Sequence, residues 1–250
     1  MIIEDNGIII SIRKFGERSR IVSCLLQSQG IQNGIIRASN KKYSDGLQPG
    51  NMVYARWQAR ISEHLGQYTT LEVTHSIVAV HHNRIALYVL NAVISLLKEL
   101  LMPHDPAPEL YQAMKRLLHV LDEDIARILQ QYVAFELDLL QHLGRPLELG
   151  ICAATGSVDD LEFVSPKSGR AVSKSAGSPY SDRLLRLPTF MRTVSADALA
   201  KEQVLPNIQE IIDGLTLTKY FLQRYLLEHY GKKIPEARNI LISKLEITQE

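Results

Sequence analysis

The chain has 250 residues, 46% of them hydrophobic and 22% charged, with a formal net charge of +1. That is the balance of a globular protein with room for one large or two modest domains, and it excludes general polyanion stickiness. Two cysteines cannot build a disulfide framework. The N-terminus MIIEDNG lacks the positive region of a secretory signal, and the longest charge-free apolar run, Ile85 to Leu97, is too short to span a bilayer. A cytoplasmic protein without membrane segments is expected.

From the N-terminus, Ile8, Ile10 and Ile12 alternate with Ile9, Ser11 and Arg13, the period of two of a half-buried strand. Gly16-Glu17 breaks the run. Further strands are predicted over Arg20 to Gln27, Ile31 to Ala38, Asn51 to Ile61 and Gln67 to Ser76, with turns at Gln29-Gly30, Asp45-Gly46 and Pro49-Gly50. Short strands with no helical pattern between them predict a small antiparallel barrel.

Charge on this barrel is one-sided. Between Ile12 and Ser62 lie Arg13, Lys14, Arg18, Arg20, Arg37, Lys41, Lys42, Arg56 and Arg60, opposed only by Glu17 and Asp45. In the fourth strand Val53, Ala55, Trp57, Ala59 and Ile61 point one way, and Tyr54, Arg56, Gln58 and Arg60 the other. Guanidinium groups beside an aromatic face suit a polyanion that carries stackable bases. The same pattern also describes the solvated face of an ordinary barrel. Tyr43, Tyr54, Trp57 and Tyr68 are the aromatics available for stacking; Trp57 shares its side with Val53 and Ala55 and reads as core, whereas Tyr43 ends a basic loop.

After His81-His82-Asn83 the period becomes helical. Arg84 to Met102 forms a helix stopped by Pro103, and Asp105 and Pro106 read as the cap and first residue of a second, ending near Val120. Asp122-Glu123-Asp124 opens a third, where the helix dipole favours negative charge. Its buried stripe is Ile125, Ile128, Leu129, Tyr132, Phe135, Leu139 and Leu143, and Gly144 and Pro146 end it. Leu149 to Pro188 reads as a turn-rich insertion. Helical periodicity resumes near Ala196, with clear helices at Thr216 to Tyr230, capped by Gly231, and at about Pro235 to Leu245.

The chain carries no phosphate loop, dinucleotide fingerprint, nucleophile elbow or H-E-x-x-H zinc motif, and its eight histidines form no ligand pattern. An enzyme is not expected.

The run S-I-R-K-F-G-E-R-S-R-I-V, the following Q-G and the later L-Q-P-G-N resemble the N-terminal OB domain of the bacterial recombination mediator RecO family, and the order of features agrees along essentially the whole chain. The resemblance implies an α+β protein: an OB-fold β-barrel over residues 1–80, then an all-helical domain over 81–250 with a turn-rich lobe at 149–190. In many members of that family the lobe holds two C-x-x-C pairs that suit a structural zinc. Here the matching positions are Cys152 and Thr155, then Ser173 and Ala176, so no metal and no cofactor is expected. The resemblance further implies a non-enzymatic mediator of DNA repair that binds single- and double-stranded DNA. It would anneal strands coated by the single-stranded-DNA-binding protein SSB, bind the SSB C-terminal tail, and help load RecA together with RecR. The expected DNA-binding residues are Arg13, Lys14, Arg18, Arg20, Arg37, Lys41, Lys42, Tyr43, Tyr54, Arg56 and Arg60. The alternative is a scaffold that binds acidic partner tails without reading nucleic acid.

Overall fold

Five strands, β1 (Ile2–Phe15), β2 (Ser19–Leu26), β3 (Gly30–Arg37), β4 (Met52–Gln58) and β5 (Gly66–His75), close into a barrel in the order β1-β2-β3-β5-β4. The computed structural model describes residues 1–37, 46–60, 65–77, 80, 82–192 and 204–247. Every strand pair is antiparallel except β3 with β5, which meet in parallel at Gly34↔Gly66 and Ile35↔Gln67.

Simple alternation in β1 fails at one place. Its register against β2 shifts between Ile9 and Ser11, so Ile8, Ile9 and Ile10 are all buried. The bulge inserts one residue and inverts the parity of everything after it. Ile9 enters the barrel core with Val22, Cys24, Val53, Ala55, Trp57 and Leu71. Neighbouring Ile8 and Ile10 are buried as well, on the strand that the first helix packs against.

The seam between β3 and β5 is built around Trp57. Its indole is fully buried and donates a hydrogen bond to the Asn33 carbonyl at 2.9 Å. A Cβ on Gly66 would lie 2.2 Å from that ring, and one on Gly34 3.0 Å from it. Only glycine therefore lets the two strands approach over the indole.

Asn83 caps α1 (Arg84–Leu100) by accepting from the amides of Ile85 and Ala86. α2 (Pro108–His119) starts later than the Asp105-Pro106 signal predicts. Pro103 bridges to Ile31, and the His104 amide donates to the Ile31 carbonyl at 3.0 Å. The chain is thus tied to β3 before it can turn helical, and Pro108 takes the first helical position instead.

By its internal contacts the chain divides into two compact units, Met1–Leu118 and His119–Glu250. In the second unit α3 (Ile125–His142) is buried on every side from Ile128 to Leu137, not on the single stripe predicted, and Ile125 is exposed. Such a helix is a hub, not an amphipathic surface element. Gly144, at φ 72°, ends this turn of chain in the left-handed conformation that glycine alone adopts without strain. The lobe that follows contains three strands that the sequence does not announce, β6 (Leu161–Val164), β7 (Ala171–Ser173) and β8 (Leu185–Arg186), ordered β7-β6-β8. Strands of four, three and two residues are too short to show a period. α4 (Ile208–Tyr230) opens on a capping box of Asn207 and Glu210 and closes at Gly231, φ 63°. α5 (Glu236–Ile247) follows. His81 and the helical start near Ala196 lie outside the described residues.

One buried ion pair ties these three helices. Arg238 on α5 donates from Nε and Nη2 to the two Glu136 carboxylate oxygens of α3, each at 2.7 Å. It also reaches the Leu215 carbonyl and Thr218 Oγ1 on α4, at 2.7 and 3.1 Å. Both partners are fully buried. Glu136→Gln should therefore destabilise the protein by about 3–5 kcal/mol, because Arg238 keeps its charge without a counter-ion. Glu136→Leu combined with Arg238→Met should recover most of that loss. Denaturant unfolding of both variants checks this.

Candidate nucleic-acid interface

The strand register sorts the predicted basic residues into groups. Lys14 and Arg20 are direct cross-strand partners, Arg13 faces Ile21, and Arg18 lies in the turn between these strands. Phe15 pairs with Ser19, and Ser19 with Arg37, so an unbroken row crosses from β1 through β2 to the end of β3. Lys41, Lys42 and Tyr43 lie outside the described residues.

Tyr54 and Arg56 sit elsewhere, among acids. Arg56 Nε is 3.2 Å from Glu4 Oε1, and the Tyr54 hydroxyl donates to Glu4 Oε2 at 2.9 Å. That hydrogen bond raises the Tyr54 phenol above its ordinary value. Glu72 is the cross-strand partner of Tyr54 on the other side. Both acids lie outside the Ile12-to-Ser62 window, so a count along that stretch of sequence misses them. Two of the aromatics considered for stacking are closed off: Trp57 and Tyr68 are buried, and the Tyr68 hydroxyl donates to the Gln32 carbonyl at 2.9 Å.

A groove of about 630 Å³ runs along the seam where the barrel closes. Phe15, Ser19, Ile35 and Arg37 line it from β1, β2 and β3. From the other side come Ile2 of β1, Gln58 of β4, Gln67 of β5, and Ala59, Arg60 and Leu65 from the connection between those last two. Ile35, Gln67, Gln58 and Ile2 form a second continuous row of register partners. Among the described residues no acid lines the groove, and neither Arg37 nor Arg60 has a carboxylate partner. Phe15, 49% exposed, is a site residue that the sequence reading passed over. The sequence offers only a partial signal, the strand parity it shares with Arg13; its exposure is seen in the structure alone.

The comparisons with known proteins agree along the chain. A family model described as Recombination protein O N terminal matches residues 1–77, and one described as Recombination protein O C terminal matches residues 81–235. The chain belongs to the RecO family. Among its relatives, the DNA repair protein RecO of Rhodopseudomonas palustris strain BisB18 is 41% identical over 244 residues, covering 96% of this chain and 92% of the relative. That of Methylorubrum extorquens is 40% identical over 236 residues, 94% of each chain, and that of Methylocella silvestris 36% identical over 248 residues, 98% and 96%. RecO is thus a family of DNA repair proteins, and this chain is one of its members. No helix among the described residues is long and apolar enough to cross a membrane.

At the lobe of this RecO-family chain the residues do not fit a zinc ion. Cys152 supplies one thiolate, while Thr155, Ser173 and Ala176 supply none. Among the described residues no three His, Cys, Asp or Glu side chains are placed to hold a metal. The positions still converge: Cys152 Sγ accepts from the Ser173 amide at 3.2 Å and lies 3.5 Å from Ser173 Oγ. Burial pushes the Cys152 thiol up, but hydrogen bonds from Ser173, Thr155 and backbone amides together outweigh it and bring it down to about 6. Burial pushes the Cys24 thiol up to about 12, with Tyr68 partly opposing.

Two outcomes follow from this geometry. Glu4→Gln should free Arg56 and strengthen oligonucleotide binding several-fold at low salt, an effect that salt erases; binding isotherms at two ionic strengths check it. Ultraviolet absorbance of thiolate should rise by one thiol near pH 6 in the native protein and vanish in Cys152→Ala. With its folded pKa depressed, Cys152 contributes stability that is fully present above about pH 9 and lost as pH falls through about 6. Unfolding midpoints across that window should rise with pH in the native protein and rise less in the variant.

Proposed function

We propose that this chain is a non-enzymatic, DNA-binding recombination mediator that works in the cytoplasm, with residues 1–80 as its nucleic-acid-binding domain. The observation that carries the reading is the groove at the barrel seam, where among the described residues no acid lines the wall, Arg37 and Arg60 have no carboxylate partner, and Phe15 is exposed. Guanidinium groups left unpaired by protein displace condensed counter-ions from a phosphate backbone, and an aromatic face gives single strands a stacking surface. Arg13, on the Phe15 face of β1, and Arg18, in the turn, extend the charge toward the hairpin, so that double-stranded DNA can lie against the same side; Lys14 and Arg20 add a cross-strand pair on the opposite face of the two strands. Lys41, Lys42 and Tyr43, next in sequence after Arg37, belong to the same proposed surface. Arg56 and Tyr54 contribute less, because Glu4 already occupies them.

Annealing of SSB-coated strands requires phosphate neutralisation by contacts weak enough to release. Exposed arginines meet that need. The helical part is assigned to protein partners, RecR and the acidic SSB tail, and through them indirectly to RecA. A groove of about 570 Å³ along α4, between Leu185, Tyr220 and Leu227 and rimmed by Lys219, offers apolar surface beside a cation for such a tail.

Replacing Arg37 and Arg60 together by Ala should weaken binding of a single-stranded oligonucleotide. It should also make log affinity against log salt shallower by about 1.4, two phosphate contacts' worth. Circular dichroism should show an intact fold, since exposed charges contribute little to stability. An unchanged slope in the folded double variant would place the DNA elsewhere.

A further inference from the structure

We propose that the seam groove holds a single unpaired nucleobase, stacked on Phe15 with its flanking phosphate on Arg37 and its edge against the carboxamides of Gln58 and Gln67; this rests on the DNA-binding reading above. Four observations converge on it. First, Phe15 is half exposed and lines the groove from the end of β1, so its ring is available to a ligand there. Second, the register sets Arg37 two strands away from Phe15, roughly 10 Å between backbones. That is a span a side chain can close from a stacked base to its own backbone phosphate.

Third, Gln67 and Gln58 are direct cross-strand partners, so two carboxamides stand side by side in the same groove. Each offers a donor and an acceptor, the pair of functions that a base edge carries. Neither has a hydrogen-bond partner among the described residues that would hold it back from the groove. Fourth, at about 630 Å³ the groove falls in the size range of sites for small organic ligands, and is far larger than holding a phosphate alone would need.

The substrate class that follows is a strand whose base is already out of a stack. A duplex presents the same phosphates but keeps its bases paired, so it can satisfy Arg37 and Arg60 while leaving Phe15 empty. Single strands therefore gain one stacking contact that double strands lack.

The test compares two oligonucleotides of equal length and charge on the full-length protein by fluorescence anisotropy: oligothymidylate, and a strand of abasic tetrahydrofuran units. Oligothymidylate should bind on the order of tenfold more tightly. Phe15→Ala should erase the difference, and Phe15→Trp should keep it. Equal, salt-sensitive binding of the two strands to native protein overturns the base pocket and leaves the phosphate reading standing. A difference that survives Phe15→Ala also overturns it, since the base then sits elsewhere. Salt-independent binding, or none to either strand, overturns the DNA-binding reading underneath.

Discussion

The approach of β3 to β5 over the Trp57 indole is the constraint on which the candidate interface depends. The other strand pairs of the barrel are antiparallel, and β1–β4, the other pair between strands distant in sequence, is held by a long ladder from Ile2↔Gln58 to Ile8↔Met52, but this pair is parallel and joins strands separated by β4. It is short, and no extended ladder holds it. What holds it is the ring beneath, with its Nε1 hydrogen-bonded to the Asn33 carbonyl and glycines at both points of closest approach. Overpacking a site this tight typically costs 1–3 kcal/mol, and here the cost would fall on barrel closure itself. The groove is the outer side of the same junction: Ile35 and Gln67 line it, and they are the next residues along from Gly34 and Gly66. Core and interface are thus two faces of one seam.

Electrostatics separates the two units more sharply than net charge suggests. In the second unit the exposed cations of the lobe and of α4 are largely matched: Arg170 with Glu148 at 2.8 Å, Lys174 with Glu162 at 3.5 Å, Arg186 with Asp213 at 3.8 Å, Arg224 with Glu228 at 2.7 Å. Such exposed pairs contribute little stability, but they quench the local field. The first unit does the reverse around its seam: among the described residues Arg37 and Arg60 have no acid partner, while Glu4 is set against Arg56. A molecule of net charge +1 can present a directed polyanion surface by this partition, because field follows local pairing and not the total.

Much of this was legible in the sequence, and the exceptions have physical causes. Strand existence, the core position of Trp57 and the glycine stop at Gly231 follow from periodicity and turn chemistry, which are local. The Ile10 bulge is not, because three successive isoleucines look alike whether one face or both are buried. The late start of α2 depends on a hydrogen bond to Ile31, more than seventy positions upstream of the His104 amide. Nothing local marks Glu136 for burial, yet it is the buried partner of Arg238, 102 positions away. At the interface the basic residues were visible but their pairing was not: Glu4 and Glu72 meet β4 only through the register of the closed sheet. Phe15 was hidden for the opposite reason, as one apolar residue among many until its exposure is known.

The strand-annealing role proposed above sets affinity against release, and the seam, read as the DNA site, would reconcile the two. Tight grip on several successive bases would sequester the edges that must pair with a complement. Grip on phosphates alone leaves the bases free but cannot tell a single strand from a duplex. One aromatic position flanked by exposed arginines lies between these limits. It adds a stacking term of one base, modest beside the summed phosphate contacts, and leaves neighbouring bases uncovered. Because the arginines are exposed, each contact exchanges readily with counter-ions and with competing phosphates. A complementary strand can then displace the held base by pairing with its neighbours first, since zippering from an adjacent base pair repays the loss of a single stacked ring. On this view discrimination and release come from the same feature, a stacking surface wide enough for one base and no more.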